Sequence, residues 1–164
     1  MQYGDDEKAR QDALNRFQVV DTPEEQGYDD ITRMAADICG TPIALISLSD
    51  NDRQWFKSRV GMQAKQSPRE NSFCTHALIA QQEIMVVEDT AEDERFFNHP
   101  LVIGEPNIRF YAGAQLLSRD GYQIGAICVI DTQPRVLGEE QLEALQFMAQ
   151  QVMTMLESRV SEAG

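Results

Sequence analysis

Residue types that mark membrane, secreted or metal-binding proteins are scarce in this chain. Its 164 residues include three cysteines, two histidines and one tryptophan. No apolar run approaches the roughly 18 residues that a transmembrane helix needs. The first 17 residues are charged and amphipathic, without the apolar segment of a secretory signal. We therefore expect a reduced, cytoplasmic protein that is not inserted into a membrane.

Positive charge is also scarce. Fourteen lysines and arginines are set against 27 aspartates and glutamates, which gives a net charge of −13 at neutral pH. A surface of this sign repels nucleic acid backbones and anionic lipids. Nucleic acids and membrane surfaces are therefore poor candidates as direct partners.

The three cysteines, Cys39, Cys74 and Cys128, are far apart in the sequence. Structural zinc sites usually contain closely spaced ligand pairs, and the only close pair here is Cys74 with His76. The pattern therefore predicts no metal site. Side chains two residues apart on a helix point in different directions. A buried, unreactive Cys74 is thus the simpler interpretation, and a catalytic thiolate is the alternative.

Helical and strand patterns follow one another along what we interpret as a single domain, residues 1–164. Apolar periodicity and turn residues predict helices at 5–19, 28–39, 72–80 and 139–161, and strands at 42–49, 53–60 and 84–88. A hairpin is predicted within Ile108–Asp131, because Arg119-Asp120-Gly121 separates two apolar runs. This order indicates an α+β fold, with helices packed on one face of an antiparallel sheet.

The predicted C-terminal helix carries an apolar stripe with alternating spacings of three and four residues. The stripe consists of Leu142, Leu145, Ala149, Val152 and Leu156. This spacing is typical of a coiled-coil seam, at which helices of two chains pack together. It favours a homodimer.

Six segments of the sequence together point to a known family. They are DTPEE (21–25), TPIALISLSDNDRQWFKSRVG (41–61), SPRENSFCTHAL (67–78), MVVEDTAEDERFFNHPLV (85–102), IRFYAGAQL (108–116) and GAICVIDTQPRVL (125–137). In this order they resemble a GAF domain of the branch found in bacterial signalling proteins, often N-terminal to histidine kinase or diguanylate cyclase modules. The resemblance extends over about residues 14–160.

The resemblance implies a central antiparallel sheet of five or six strands, with the N- and C-terminal helices on one face and a small-molecule pocket on the other. It implies a dimeric sensory or regulatory module rather than an enzyme, acting on a kinase or diguanylate cyclase output domain. The ligand and any cofactor are unknown. Relatives that bind haem or bilin use a histidine or cysteine, for which His76, His99 and Cys74 are the options here. The signature of cyclic-nucleotide-binding relatives is not found.

Seven residues are candidates for the pocket. Phe110 and Tyr111 lie on alternating faces of a strand, so one of the two should face the pocket. Arg109 opens that strand and could bind an anionic ligand group or form a structural ion pair. Trp55 either lines the pocket or anchors the core. The full set is Trp55, Cys74, His76, Arg109, Phe110, Tyr111 and Asp131.

Two other functions stay open. One branch of the family reduces free methionine sulfoxide with cysteines, and Cys74 lies near one of those positions. The regions before Asp89 and around Arg109 lack the other two cysteines. The chain could also be a purely structural dimerisation unit with a closed pocket and no ligand.

Overall fold

The computed structural model describes residues 7–69, 73, 83–104 and 107–163. The helices are α1 (Glu7–Arg16), α2 (Gln26–Cys39), α3 (Pro100–Ile103) and α4 (Glu139–Ala163), and the strands are β1 (Ile43–Asp50), β2 (Arg53–Val60), β3 (Gln66–Pro68), β4 (Ile84–Val87), β5 (Phe110–Leu117) and β6 (Gln123–Asp131). The predicted helices and strands within these residues are confirmed, with bounds shifted by at most three residues. The helix predicted at 72–80 lies outside the described residues except for Phe73, which is helical.

The six strands form one antiparallel sheet in the order β3-β2-β1-β6-β5-β4. This confirms the predicted α+β class and the predicted sheet. The short strand β3 was not predicted, because it lies in a polar segment that reads as a loop. It pairs with β2 through three residue pairs only, from Trp55–Gln66 to Arg53–Pro68.

The predicted hairpin joins β5 to β6 at the centre of the sheet. The Ser118 amide donates to the Tyr122 carbonyl at 2.9 Å, and the Gly121 amide donates to the Ser118 carbonyl at 2.8 Å. Gly121 has a φ of 87°, a conformation that a side chain would strain. The Asp-Gly pair therefore sets the turn as its composition indicates.

Both faces of the sheet are apolar, and each has its own core. Helices α1, α2 and α4 cover the first face, here called the helix face. Its core includes Leu14, Phe17, Ile46, Leu48 and Ile127. The opposite face, here called the cavity face, is bordered by α3 and by the loops beside it, and its core includes Ile43, Leu45, Phe56, Phe96 and Ile108.

The apolar stripe of α4 packs within the monomer. Leu145, Ala149, Val152 and Leu156 are at most 4% exposed, in a core shared with α2 and β5. Leu142 is partly buried against the same core. The assignment of these residues to a dimer seam is therefore corrected. A helix that covers a sheet needs the same apolar stripe as a helix that pairs with another helix, so the spacing alone cannot separate the two cases.

A β-bulge in β2 changes the faces to which successive side chains point. Ile46 pairs with Ser58 and Ser47 pairs with Phe56, so Lys57 is an extra residue in β2. Phe56 lies in the core of the cavity face. Lys57 and Ser58 both bond towards the helix face, Ser58 through a 2.6 Å hydrogen bond to Asp29 of α2. The bulge thus places a cavity residue directly beside two residues that contact the helices.

A buried charge cluster ties α1 to the end of β3. The fully buried Arg69 donates to Glu7 at 2.7 and 3.1 Å, and Arg10 donates to the same carboxylate at 2.8 and 3.0 Å. Burial alone would raise the pKa of Glu7. The hydrogen bonds and charges of the two arginines more than offset this effect and lower the pKa to about 2.

Candidate ligand-binding site

A cavity of about 750 Å³ opens on the cavity face of the sheet. Small-molecule sites usually measure about 300–1,000 Å³, so the space suits a ligand of ordinary metabolite size. Segments 61–64 and 67–68, Phe73 and residues 99–101 form its walls. Its floor is formed by side chains of four strands: Ile43, Leu45, Phe56, Tyr111, Cys128 and Ile130.

One side of the cavity is aromatic. The ring of Phe73 stacks on Tyr111, with centroids 4.7 Å apart and planes inclined by 13°. It also stacks on His99 at 5.2 Å and 23°. Phe96 lies behind them, 4.3 Å from the Phe73 ring centroid. Packed rings of this kind stabilise one another and form an apolar surface.

Gly113 leaves room for the Tyr111 side chain. The two residues are two positions apart on β5 and so face the same side. A Cβ atom on Gly113 would lie 2.3 Å from the Tyr111 hydroxyl oxygen and 2.8 Å from the ring carbon that bears it. The tyrosine therefore lies along its own strand, over the glycine.

The cavity has one polar end, at the start of β2. Gln54 and Ser47 line it there. The Ser47 and Ser49 hydroxyls donate to Gln54 Oε1 at 2.8 and 3.0 Å, and all three residues are buried. The polar groups are thus hydrogen-bonded before any ligand arrives, as buried polar groups must be.

His99 contributes its ring to the aromatic wall. It is buried, and it caps α3 because its Nδ1 accepts the Leu101 amide at 3.1 Å. A nitrogen that accepts a hydrogen bond carries no hydrogen, so the ring hydrogen lies on Nε2 while this contact is made.

The sequence-predicted pocket residues are only partly brought together. Tyr111 lines the cavity. Trp55 and Phe110 lie instead in the core of the helix face, and their assignment to the pocket is corrected. The reason is strand alternation: Trp55 stands between Gln54 and Phe56, which face the cavity, and Phe110 precedes Tyr111.

The two charged candidates also lie away from the cavity lining. The Arg109 guanidinium donates to the carbonyls of Val102 and Ile108 at 2.8 and 3.1 Å, and so fastens the loop after α3. Asp131 is buried at the end of β6, where it is paired with Arg135 and accepts the Thr132 amide at 2.6 Å. Both residues therefore stabilise loops, which corrects their assignment to the pocket.

Two of the candidates, Cys74 and His76, lie outside the described residues. Phe56, Cys128 and His99 line the cavity but were not selected from the sequence as pocket residues. Alternation in β6 places Cys128 on the same face as Ile130, but it does not show that this face lines the cavity. Cys39 is buried on the helix face, and its burial raises the pKa of its thiol to about 11, which makes it a poor nucleophile.

A polar bridge connects β2 to the helices. The ammonium of Lys57, a fully buried side chain, donates to Thr22 Oγ1 at 2.8 Å, to the Pro23 carbonyl at 2.6 Å and to the carboxylate of Glu25. Arg159 of α4 donates to the same carboxylate at 2.9 Å. The hydrogen bond from Lys57, helped by the charge of Arg159, lowers the pKa of Glu25 against the opposing effect of burial.

The family of the chain follows from a comparison with family models. The model for the GAF domain matches residues 23–156. The chain belongs to the GAF domain family. No group of three or more potential metal ligands is assembled in the part of the GAF domain that the structure describes. In the same part, every helix is too short or too polar to cross a bilayer.

Relatives of this GAF domain occur in bacterial signalling proteins. It is 39% identical over 152 residues to the cyclic di-GMP phosphodiesterase PA2567 of Pseudomonas aeruginosa, a match that covers 92% of this chain and 26% of that protein. The chain thus spans about a quarter of the length of this curated relative.

Solved structures share the fold. The GAF domain of an Acinetobacter phosphoenolpyruvate-protein phosphotransferase superposes with a TM-score of 0.67 at 17% identity, covering 94% of this chain and 97% of that one. The type II free methionine-R-sulfoxide reductase of Thermoplasma acidophilum superposes with a TM-score of 0.58 at 11% identity, covering 80% and 95%. At these identities the likeness concerns the fold alone.

Proposed function

We propose that this GAF domain is a sensory module that binds a small molecule in the cavity and relays the signal through its terminal helices to an output domain. The observation that carries the proposal is that Phe56 and Lys57 are consecutive residues of β2. Phe56 forms part of the cavity floor. The next residue, Lys57, binds the Glu25 carboxylate, which also binds Arg159 of α4. A shift of β2 on ligand binding would thus reach the C-terminal helix through two ion pairs.

The ligand can shift this equilibrium only by binding one helix arrangement more tightly than the other. Such a coupling amounts typically to about 1–3 kcal/mol. The polar bridge formed by Lys57, Glu25 and Arg159 is suited to such a coupling. Glu25 is 42% exposed while Lys57 is fully buried, so the carboxylate can exchange protein partners for water.

A cyclic di-GMP phosphodiesterase is the output that the Pseudomonas relative suggests, since that protein bears this name. A diguanylate cyclase or a histidine kinase is the alternative. The output domain would lie in the same chain or in a partner chain, in the cytoplasm.

We further propose that the module is a homodimer, through the outer face of α2 and α4 rather than through the buried stripe. The two helices run antiparallel, because Gly27 lies against Met155 and the Ile38 carbonyl accepts a hydrogen bond from Gln141. This arrangement places Met34 and Phe147, which are 48% and 60% exposed, at similar heights on neighbouring helices. Exposed apolar side chains grouped in this way are typical of contact surfaces.

Native mass spectrometry, compared with the denatured mass, tests binding directly. We expect the purified protein to retain a small molecule that is absent when Ala64, a lining residue on an exposed loop, is changed to Trp. If the native mass equals the chain mass, either of two aromatic probes is then supplied: N-phenyl-1-naphthylamine, which is uncharged, or its anionic sulfonate, 1-anilinonaphthalene-8-sulfonate.

Hydrogen exchange of residues 139–160 tests the relay. A bound probe should change amide protection in α4 of the wild type but not in Glu25→Gln, which still binds the probe. Glu24→Gln is the matched control, since Glu24 is 70% exposed and its ion pair with Arg59 is 3.8 Å long. Unchanged protection of α4 in probe-saturated wild type would contradict the relay.

A reductase of the free methionine sulfoxide type is the second candidate, with Cys74 as nucleophile. Cys128 lies in the cavity floor, and its position there favours testing this candidate. Turnover would be measured with free methionine sulfoxide, thioredoxin, thioredoxin reductase and NADPH. Activity lost in both Cys74→Ser and Cys128→Ser would support an enzyme, whereas no turnover by the wild type removes this candidate.

A further inference from the structure

We infer that the ligand of the cavity is an uncharged, mainly apolar molecule, and that phosphorylated or carboxylated compounds are rejected. The inference rests on the proposed function, namely that the cavity binds a small molecule. It concerns the chemical class of that molecule and follows from the positions of the lysines and arginines.

Every lysine and arginine of the chain falls in the described residues, and none of the fourteen lines the cavity. Five of them are adjacent in sequence to a lining residue, and each is bound elsewhere or exposed. Arg53 is bound to Asp21 and Asp50, and Lys57 is bound to Glu25. Arg69 is bound to Glu7, and Arg109 is bound to two loop carbonyls. Lys65 follows the lining residue Ala64, but it is exposed. The stretches outside the described residues contain no lysine or arginine that could supply the missing charge.

An anionic ligand would therefore enter a mainly apolar space without a lysine or arginine side chain as partner. Removing an ionised group from water costs far more than an apolar wall returns, unless a counter-charge and hydrogen bonds are present. The Nδ1 atom of His99 already accepts the Leu101 amide, so it does not donate to an anion while that contact is made. The net charge of −13 adds long-range repulsion of anions.

For an uncharged ligand, the loss of hydration is smaller than the gain from apolar burial. Such a ligand loses little hydration on entry, and it gains from burial against Leu45, Phe56, Ile130 and the ring of Tyr111. The described lining residues include no aspartate or glutamate, so a cationic ligand would not find a counter-charge among them either. A small polar group on the ligand would be placed at the end formed by Ser47 and Gln54. A cyclic dinucleotide, with two phosphates, does not fit this description.

The matched probes N-phenyl-1-naphthylamine and 1-anilinonaphthalene-8-sulfonate share a skeleton and differ by one sulfonate. Fluorescence titrations of the full chain in 0.3 M NaCl, which screens the surface charge, should show at least tenfold tighter binding of the uncharged probe. Cyclic di-GMP, followed by calorimetry, should bind no more tightly than the sulfonate. Ala64→Trp should weaken the uncharged probe at least tenfold, and Leu45→Trp is a second blocking variant from the floor of the cavity.

Adding one positive charge to the cavity wall should reduce the preference for the uncharged probe over the sulfonate. Ala64→Arg is expected to tighten the sulfonate at least tenfold and to change the uncharged probe less than threefold. Val136→Arg is the matched control, because Val136 is 76% exposed and does not line the cavity. A sulfonate that fails to gain affinity in Ala64→Arg, or gains as much in Val136→Arg, would overturn the inference.

The remaining outcomes separate this inference from the proposed function. If the sulfonate or cyclic di-GMP binds as tightly as the uncharged probe and both blocking variants abolish it, the cavity is a binding site but the inference is wrong. If neither naphthyl probe nor cyclic di-GMP binds, or if binding survives both blocking variants, both the inference and the proposed function are overturned.

Discussion

Among single residues, Glu7 has the clearest pH-dependent role. Its pKa is lowered from 4.5 to about 2 by Arg10 and Arg69, against the effect of its own burial. A folded-state pKa below the unfolded value means that the carboxylate contributes stability that is fully present above pH 4.5 and is lost as the pH falls towards 2. A difference of this size corresponds to roughly 3 kcal/mol at neutral pH.

We expect Glu7→Gln to lower the free energy of unfolding by about 2–3 kcal/mol at pH 7, and by progressively less below pH 4.5. Urea unfolding of wild type and variant between pH 7 and pH 3 measures this. Asp12→Asn is the control, because Asp12 and its partner Lys8 are 63% and 93% exposed and should matter little. A Glu7→Gln penalty that does not change with pH would contradict the assignment.

Gly113 is the second residue whose identity the structure explains. A Cβ atom there would collide with Tyr111, so Gly113→Ala should destabilise the protein by about 1–3 kcal/mol. In a Tyr111→Ala background the same change should be neutral or slightly stabilising, because alanine restricts the unfolded chain. A double-mutant cycle of unfolding free energies tests this, and equal effects in both backgrounds would show that the two residues do not interact.

At the scale of elements, α4 shows what a periodic pattern can and cannot indicate. Its stripe faces the sheet, so Val152→Asp should unfold the domain rather than separate two chains. Val152 is 0% exposed, and a buried, unpaired charge costs about 4 kcal/mol or more. Thermal unfolding followed by circular dichroism measures the loss, with the exposed Thr154→Asp as control. A Val152→Asp variant that stays folded and becomes monomeric would show that the stripe is a dimer interface after all.

Local signals were sufficient for most of the elements. The Asp-Gly turn identified the β5–β6 hairpin, and the apolar period of α2 ending at Gly40 identified that helix, whose glycine has a φ of 67°. Strand β3 could not be predicted, since a Gln-Ser-Pro segment becomes a strand only by pairing with β2. The bulge at Lys57 could not be predicted either, because it depends on the register between β1 and β2.

The candidate site was less predictable than the fold for a physical reason. Both faces of the sheet are apolar, so alternation sorts Trp55 from Phe56 and Phe110 from Tyr111 without showing which set faces the cavity. The charged candidates were wrongly assigned to the pocket for a different reason. Arg109 and Asp131 fasten loops through carbonyl and ion-pair contacts that leave no pattern in the sequence.

At the scale of the whole molecule, the outer face of α2 and α4 is the surface to test for assembly. Phe147→Glu should give monomers in sedimentation velocity if the proposed homodimer forms there, with little loss of stability because Phe147 is 60% exposed. Phe97→Glu is the matched control, since Phe97 is 53% exposed and lies after β4 rather than on these helices. A Phe147→Glu variant that stays dimeric would place the interface elsewhere.

The carboxylate of Glu25, shared between Lys57 and Arg159, also determines the direction of a force. While Glu25 stays between them, both cations are drawn towards it, and α4 is held to the sheet. If the carboxylate swings into solvent, the same two cations are left to repel each other in a partly buried site, where charge interactions are poorly screened. Displacement of the Glu25 side chain would therefore convert the attraction between β2 and α4 into repulsion. Once the contact is lost, the two remaining charges would themselves push the strand and the helix apart.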